Sequence, residues 1–198
     1  MVWNLSYQPK PDSFPSADLV EGERGKLVLE DRTPDGGINI AIMRNHSGRR
    51  VKPDSVPKVI RWNMKRKLLD FEDVFINTVS DRFRDLIEEI EPGIHQFVPV
   101  KFISKDGSDL AARWFWQICN RIDGVNREYT NWTLSNGAVW KPVQGQANKL
   151  VIDLDAIGTT KFWHDKHVSG ATFVSDDAKQ RIEGAAITGT RFHYYEQV

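Results

Sequence analysis

A single cysteine, Cys119, stands in 198 residues. One thiol closes no internal disulfide, and sparse cysteine fits a reducing cytosol. Positive and negative side chains balance at 27 each. That balance gives no support to a broad basic field of the kind that holds nucleic acid or an acidic membrane. No stretch approaches the roughly 20 apolar residues of a membrane span. The start, MVWNLSYQPKPDSFPS, lacks the basic-then-apolar pattern of a secretory signal. These shortages together predict a cytoplasmic protein with no membrane partner. Missing too are a phosphate-cradling glycine loop, a serine-nucleophile elbow, a paired CxxC and an HExxH.

What is present is a core former with a repeated phrase. The chain is 40% hydrophobic and 11% aromatic, with seven tryptophans, enough apolar surface for one sizeable domain. Residues 79–97 read VSDRFRDLIEEIEPGIHQF, and residues 174–192 read VSDDAKQRIEGAAITGTRF. They align without a gap at an offset of 95 positions, with identities at Val79/Val174, Ser80/Ser175, Asp81/Asp176, Ile87/Ile182, Glu88/Glu183 and Phe97/Phe192. The serine predicts a helix cap, and the aspartate suits the positive helix end. Phe83, Leu86, Ile87 and Ile90 then form one apolar stripe. Pro92 and Gly93 stop the helix. The phrase therefore predicts helix start, amphipathic helix, turn and strand, used twice.

Around it, residues 1–26 read as an irregular lead-in. KLVLEDRTPDGGINIAIM suggests two strands about a turn at Pro34–Gly37. ARWFWQICNRID alternates, with Trp114, Trp116, Ile118 and Ile122 on one face and Phe115, Gln117, Cys119 and Arg121 on the other. A hairpin is expected at Asn136–Gly137. LVIDLDAI and KFWHD read as short strands. The predicted class is α+β. It has a mostly antiparallel sheet, two main amphipathic helices and a duplicated strand–helix–strand unit as one reading of the repeat. Residues 1–57 form the lead-in, and 58–198 form the α+β domain.

Candidate chemistry is thin. His164-Asp165-Lys166-His167 offers two imidazoles, but Lys166 repels a cation and no third ligand is evident, so no metal is expected. Cys119 sits among bulky apolar residues, where a free cysteine packs as a small hydrophobe. Glu88, Glu89 and Glu91 are expected on a solvated helix face. The basic run Arg61, Lys65, Arg66 and Lys67 reads first as a solvated face. Trp132, Trp140 and Trp163 lie in polar company, as lids over the core or as anchors for a partner. The expected partner contacts are Trp132, Trp140, Trp163 and His164, with Tyr129 and Arg127 at the rim. No catalytic residue and no cofactor is assigned.

Read in order, VSDRFRDLIEEIEPGIHQFVPV, RWFWQICNRIDGVN, LVIDLDAIG and FVSDDAKQRIEGAAITGTRF resemble a bacterial immunity-protein family of polymorphic toxin systems. Its members show a VSE/VSD helix start with EPGxHQFxPV, an aromatic strand ending near CNRID, an LxID strand, and a second FVSD helix ending TGxRF. The resemblance covers about residues 58–198. It implies a cytosolic, non-enzymatic protein that binds a cognate toxin encoded by a neighbouring gene. Toxins of such systems are often delivered by contact or by type VI secretion. The resemblance assigns no binding residues and leaves self-association open. Two other classes compete. One is an enzyme, a metal- or Cys/His-dependent hydrolase built on His164, His167, Asp165 or Cys119, which could reverse a toxin's modification. The other is a nucleic-acid module using Arg61–Lys67 and surface aromatics, against which the neutral charge counts.

Overall fold

The computed structural model describes residues 1–8, 16–22, 27–39 and 44–198. In chain order it places β1 (Val2–Tyr7), β2 (Ala17–Glu21), β3 (Val59–Trp62), β4 (Phe71–Asp73), β5 (Asn77–Val79), α1 (Asp81–Ile90), β6 (Gln96–Ile103) and β7 (Asp109–Gln117). There follow β8 (Arg121–Ile122), β9 (Thr133–Ser135), β10 (Val139–Lys141), β11 (Val151–Ile152), α2 (Leu154–Ile157), β12 (Phe162–Asp165), β13 (Phe173–Ser175), α3 (Asp176–Gly184) and β14 (Thr190–Gln197). Among the described residues these strands build two six-stranded sheets and one hairpin. The sheet orders are β2-β3-β6-β7-β5-β4 and β11-β14-β1-β13-β12-β8, and the hairpin is β9-β10. The class is α+β, and most of the pairings are antiparallel.

Both copies of the repeated phrase fold as the sequence predicts. Ser80 accepts from the Phe83 N–H and Ser175 from the Ala178 N–H, so each caps its helix. On α1, Phe83 and Ile87 point into the core; on α3, Ala178 and Ile182 do. Residues from both helices share one cluster with Leu5, Phe71, Val79, Trp116, Phe162 and Val174. A second cluster, including Leu27, Val51, Ile60, Val98 and Phe115, fills the far side of the first sheet. A third, including Val2, Trp140, Ile152, Trp163 and Phe173, fills the far side of the second. The alternation on β7 explains the division. Trp114 and Trp116 face the helices, whereas Phe115 faces the second cluster.

Several expectations change. The lead-in is not irregular throughout, because β1 pairs with β13 on one side and β14 on the other. Its Val2 and Leu5 are core residues, which gives them more reason to be extended than the surrounding polar residues give against it. The strand expected at residues 27–33 is reduced to one bridge, Leu29 to Val51. Its proposed partner falls largely at residues 40–43, outside the described residues. LVIDLDAI holds a two-residue strand and then α2, because Asp153 caps that short helix through the Asp155 and Ala156 N–H groups. Cap chemistry overrides the β-favouring composition there.

The two caps should contribute alike. Ser80→Ala and Ser175→Ala are each expected to cost about 1 kcal/mol, read as an earlier urea midpoint with an unchanged slope.

Candidate functional site

The EPGIHQF segment is a joint. Glu91 ends α1 and turns inward; its carboxylate accepts from the Lys161 N–H at 2.8 Å and the Phe162 N–H at 3.1 Å. His95 completes the arrangement. The Cys119 N–H donates to His95 Nδ1 at 3.3 Å, so Nε2 carries the hydrogen and donates to Glu91 at 2.9 Å. Gln96 pins the loop at Val51 by accepting from its N–H and donating to its carbonyl. Glu91 was expected on the solvated face. It lies beside Pro92–Gly93, past the periodic part of the helix, and that position is the signal that separates it from Glu88 and Glu89. Those two remain outside: Glu88 accepts from the Gly93 N–H, and Glu89 pairs with Arg181 of α3.

The opposite turn answers in kind. After α3, the Thr188 carbonyl accepts from the Phe71 N–H at 3.0 Å, and its hydroxyl accepts from the Asp70 N–H. Gly189 allows the approach, with φ of +90° and Phe71 O only 2.2 Å from where a Cβ would stand. Part of the basic run is also structural. Arg66 grips the buried Glu72 at 2.6 and 2.9 Å, and Glu72 further accepts from Tyr7 and the Leu69 N–H. Burial and the Glu72 charge push the Tyr7 phenol well above its ordinary range.

The expected partner contacts divide. Trp140, Trp163 and His164 are buried. Trp163 stacks on Phe173 at 5.5 Å, so the aromatic residues of KFWHD are core despite their polar neighbours. His164 Nδ1 donates to Ala171 O and its ring meets His46 edge to face at 5.0 Å. Burial pulls the His164 imidazole down to about 3. The surface reading therefore fails for these three: each is closed off by packing. Tyr129 is 50% exposed, the Arg127 side chain is 61% exposed and pairs with Asp123, and Trp132 is half-buried.

The residues of the enzyme reading also have structural duties. Burial pushes the Cys119 thiol up to about 11, away from the thiolate a nucleophile needs. Asp165 accepts from the N–H groups of Gly124, His167 and Val168. His167 donates to Ala138 O. No group of three or more His, Cys, Asp or Glu side chains is placed to hold a metal among the described residues.

Among the grooves formed by the described residues, two are walled by strand positions that correspond. One, of about 730 Å³, is lined by Val98, Pro99, Val100, Lys101, Val56 and Leu110, among others. The other, of about 460 Å³, is lined by His193, Tyr194, Tyr195, Glu196, Trp132 and Asn4, among others. The 95-residue offset carries Val98–Lys101 onto His193–Glu196. The same four strand positions thus form an aliphatic wall in one groove and an aromatic, polar wall in the other. Tyr194 is 52% exposed. The terminal RFHYYEQV held this signal, since consecutive aromatics on one strand must face both sides of a sheet.

Among the described residues no helix is long and apolar enough to cross a membrane. Two measurements check the buried network. Glu91→Ala should cost about 2–4 kcal/mol, because it leaves two strand N–H groups without an acceptor. The second concerns acid. The unfolded chain binds a proton at His164 near pH 6.5, but the folded chain does so only near 3. Stability is therefore complete above pH 6.5 and falls as pH drops below it, by about 2 kcal/mol at pH 5 from this group. His164→Gln should flatten that slope between pH 7 and 5 in urea titrations.

No curated protein matches the chain. Residues 20–197 match the Immunity protein family (Imm11). The match takes in all three helices and every strand except β1 and most of β2, and on that ground the chain belongs to this immunity protein family.

Proposed function

We propose that the protein neutralises a cognate toxin by binding it and covering its active site, without catalysis of its own. Family membership supports an immunity role with a toxin partner. The observation that carries the binding reading is the aromatic groove. Its counterpart on the other sheet keeps the same strand positions with Val98, Pro99 and Val100. Of the aromatic residues there, Tyr195 packs against Phe173 in the third cluster, whereas His193 and Tyr194 are exposed, Tyr194 lying edge-on to Trp3. Exposed tyrosine and half-buried tryptophan are the side chains that dominate protein interfaces. Tyr129 and Arg127, from the same loop as Trp132, extend the proposed contact surface.

In this reading Trp140, Trp163 and His164 hold the floor beneath the contact instead of touching the toxin. The protein works in the cytoplasm beside a toxin that acts there, encoded by a neighbouring gene. The two halves of the chain are copies of one strand–helix–strand unit.

Tyr194→Ala, Tyr129→Ala and Arg127→Ala are expected to weaken toxin binding, Tyr194→Ala by about tenfold or more. Leu110→Ala, in the aliphatic groove, should change it by less than about threefold. Calorimetry with the product of the neighbouring gene, and growth on co-expression, check both. Wild-type affinity in all three aromatic-side variants would move the contact elsewhere. No complex and no relief of toxicity would end the binding reading itself.

A further inference from the structure

The two sheets share more than a helix motif. In the first, β7 lies between β5 and β6, antiparallel to both; β4 flanks β5 antiparallel, and β3 flanks β6 parallel. In the second, β1 lies between β13 and β14, antiparallel to both; β12 flanks β13 antiparallel, and β11 flanks β14 parallel. The register agrees in all four ladders. Val79 opposes Trp114, and Val174 opposes Trp3. Pro99 opposes Trp114, and Tyr194 opposes Trp3. Phe71 opposes Val79, and Phe162 opposes Val174. Val59 opposes Lys101, and Val151 opposes Glu196.

Side-chain contacts repeat as well. The Trp114 indole donates to Asp81, the first helical residue of α1, at 2.6 Å; the Trp3 indole donates to Asp176, the first of α3, at 2.9 Å. Arg84 lies over the Trp114 ring at 4.4 Å, and Lys179 lies over the Trp3 ring at 4.6 Å. Each of these helix positions is offset by the same 95 residues. The capping serines also agree, with Ser80 N–H donating to Asp70 O and Ser175 N–H to Lys161 O.

We infer that the chain is a fused pair of one five-strand, one-helix unit, circularly permuted so that the last strand of the second copy is carried at the N-terminus as β1. The surface between the halves is then a former interface between two copies of the same unit. Its core holds both members of each equivalent pair: Phe71 and Phe162, Val79 and Val174, Phe83 and Ala178, Ile87 and Ile182, and Trp116 and Leu5. The turn after each helix accepts N–H groups at corresponding positions of the opposite half, Lys161–Phe162 and Asp70–Phe71, a two-way exchange of the kind seen across an isologous contact, with acceptors, Glu91 and Thr188, two positions out of step. In the first half, β6 ends at Ile103 and β7 begins at Asp109, with Ser104–Ala111 standing between the positions that match Val198 and Met1; in the second, the corresponding strands are β14, ending at Gln197, and β1, beginning at Val2. The inference goes beyond the proposed toxin binding and does not depend on it.

The test uses two variants of the 198-residue chain. The first joins Val198 to Met1 through a copy of the Ser104–Ala111 sequence by backbone cyclisation. The second adds the same joint and opens the chain between Gly107 and Ser108, so that the first half becomes the permuted one. The cyclised chain should melt above the natural chain, because a matching turn closes ends that already lie side by side. The permutant should fold to the same circular dichroism spectrum and melt within about 5 °C of the natural chain. A cyclised chain that melts below the natural one would overturn the inference. So would a permutant that does not fold while the cyclised chain does.

Discussion

Everything in this fold rests on two turns that cross over. Glu91, at the end of the first helix, satisfies the N–H groups of Lys161 and Phe162 in the other half. Thr188, after the second helix, satisfies those of Asp70 and Phe71. Each pair ends in the first residue of a strand, Phe162 or Phe71, and an N–H shut off from water without an acceptor is costly, so each half supplies acceptors that the other lacks. The apolar surface brought together by this exchange is the central cluster, where both helices meet both sheets. The outer clusters then close each sheet from behind.

The helices were legible because their signals are local. Ser80 and Ser175 sit one residue before an aspartate and a periodic stripe, and a cap depends on little beyond its own turn. The β7 faces were legible for a similar reason: alternation reports directly which side a residue takes. The position of β1 was not, because six residues near a chain end say nothing of the strands they will join. Val2 and Leu5 are core residues, yet no local pattern marks them.

The candidate contacts show the same limit from the other side. Trp163 and His164 have polar neighbours in sequence, but the strand that carries them is covered on both faces. Sequence neighbours say what precedes and follows a residue, not what lies across the sheet from it. Glu91 was misplaced for the converse reason. Its helical neighbours are solvated, whereas its own carboxylate is turned back by the Pro92–Gly93 stop. Trp132, Tyr129 and Arg127 keep surface positions because they lie on a connecting loop, not on a strand of the central layers.

An immunity protein that acts by shape must be present in amounts equal to its target. Titrating a fixed quantity of the cognate toxin with this protein tests that most directly. The account predicts that toxin activity falls linearly and reaches its floor at one equivalent, with the two proteins recovered together and unmodified. Full loss of activity at a small fraction of an equivalent, with the toxin or its product chemically altered, would contradict it.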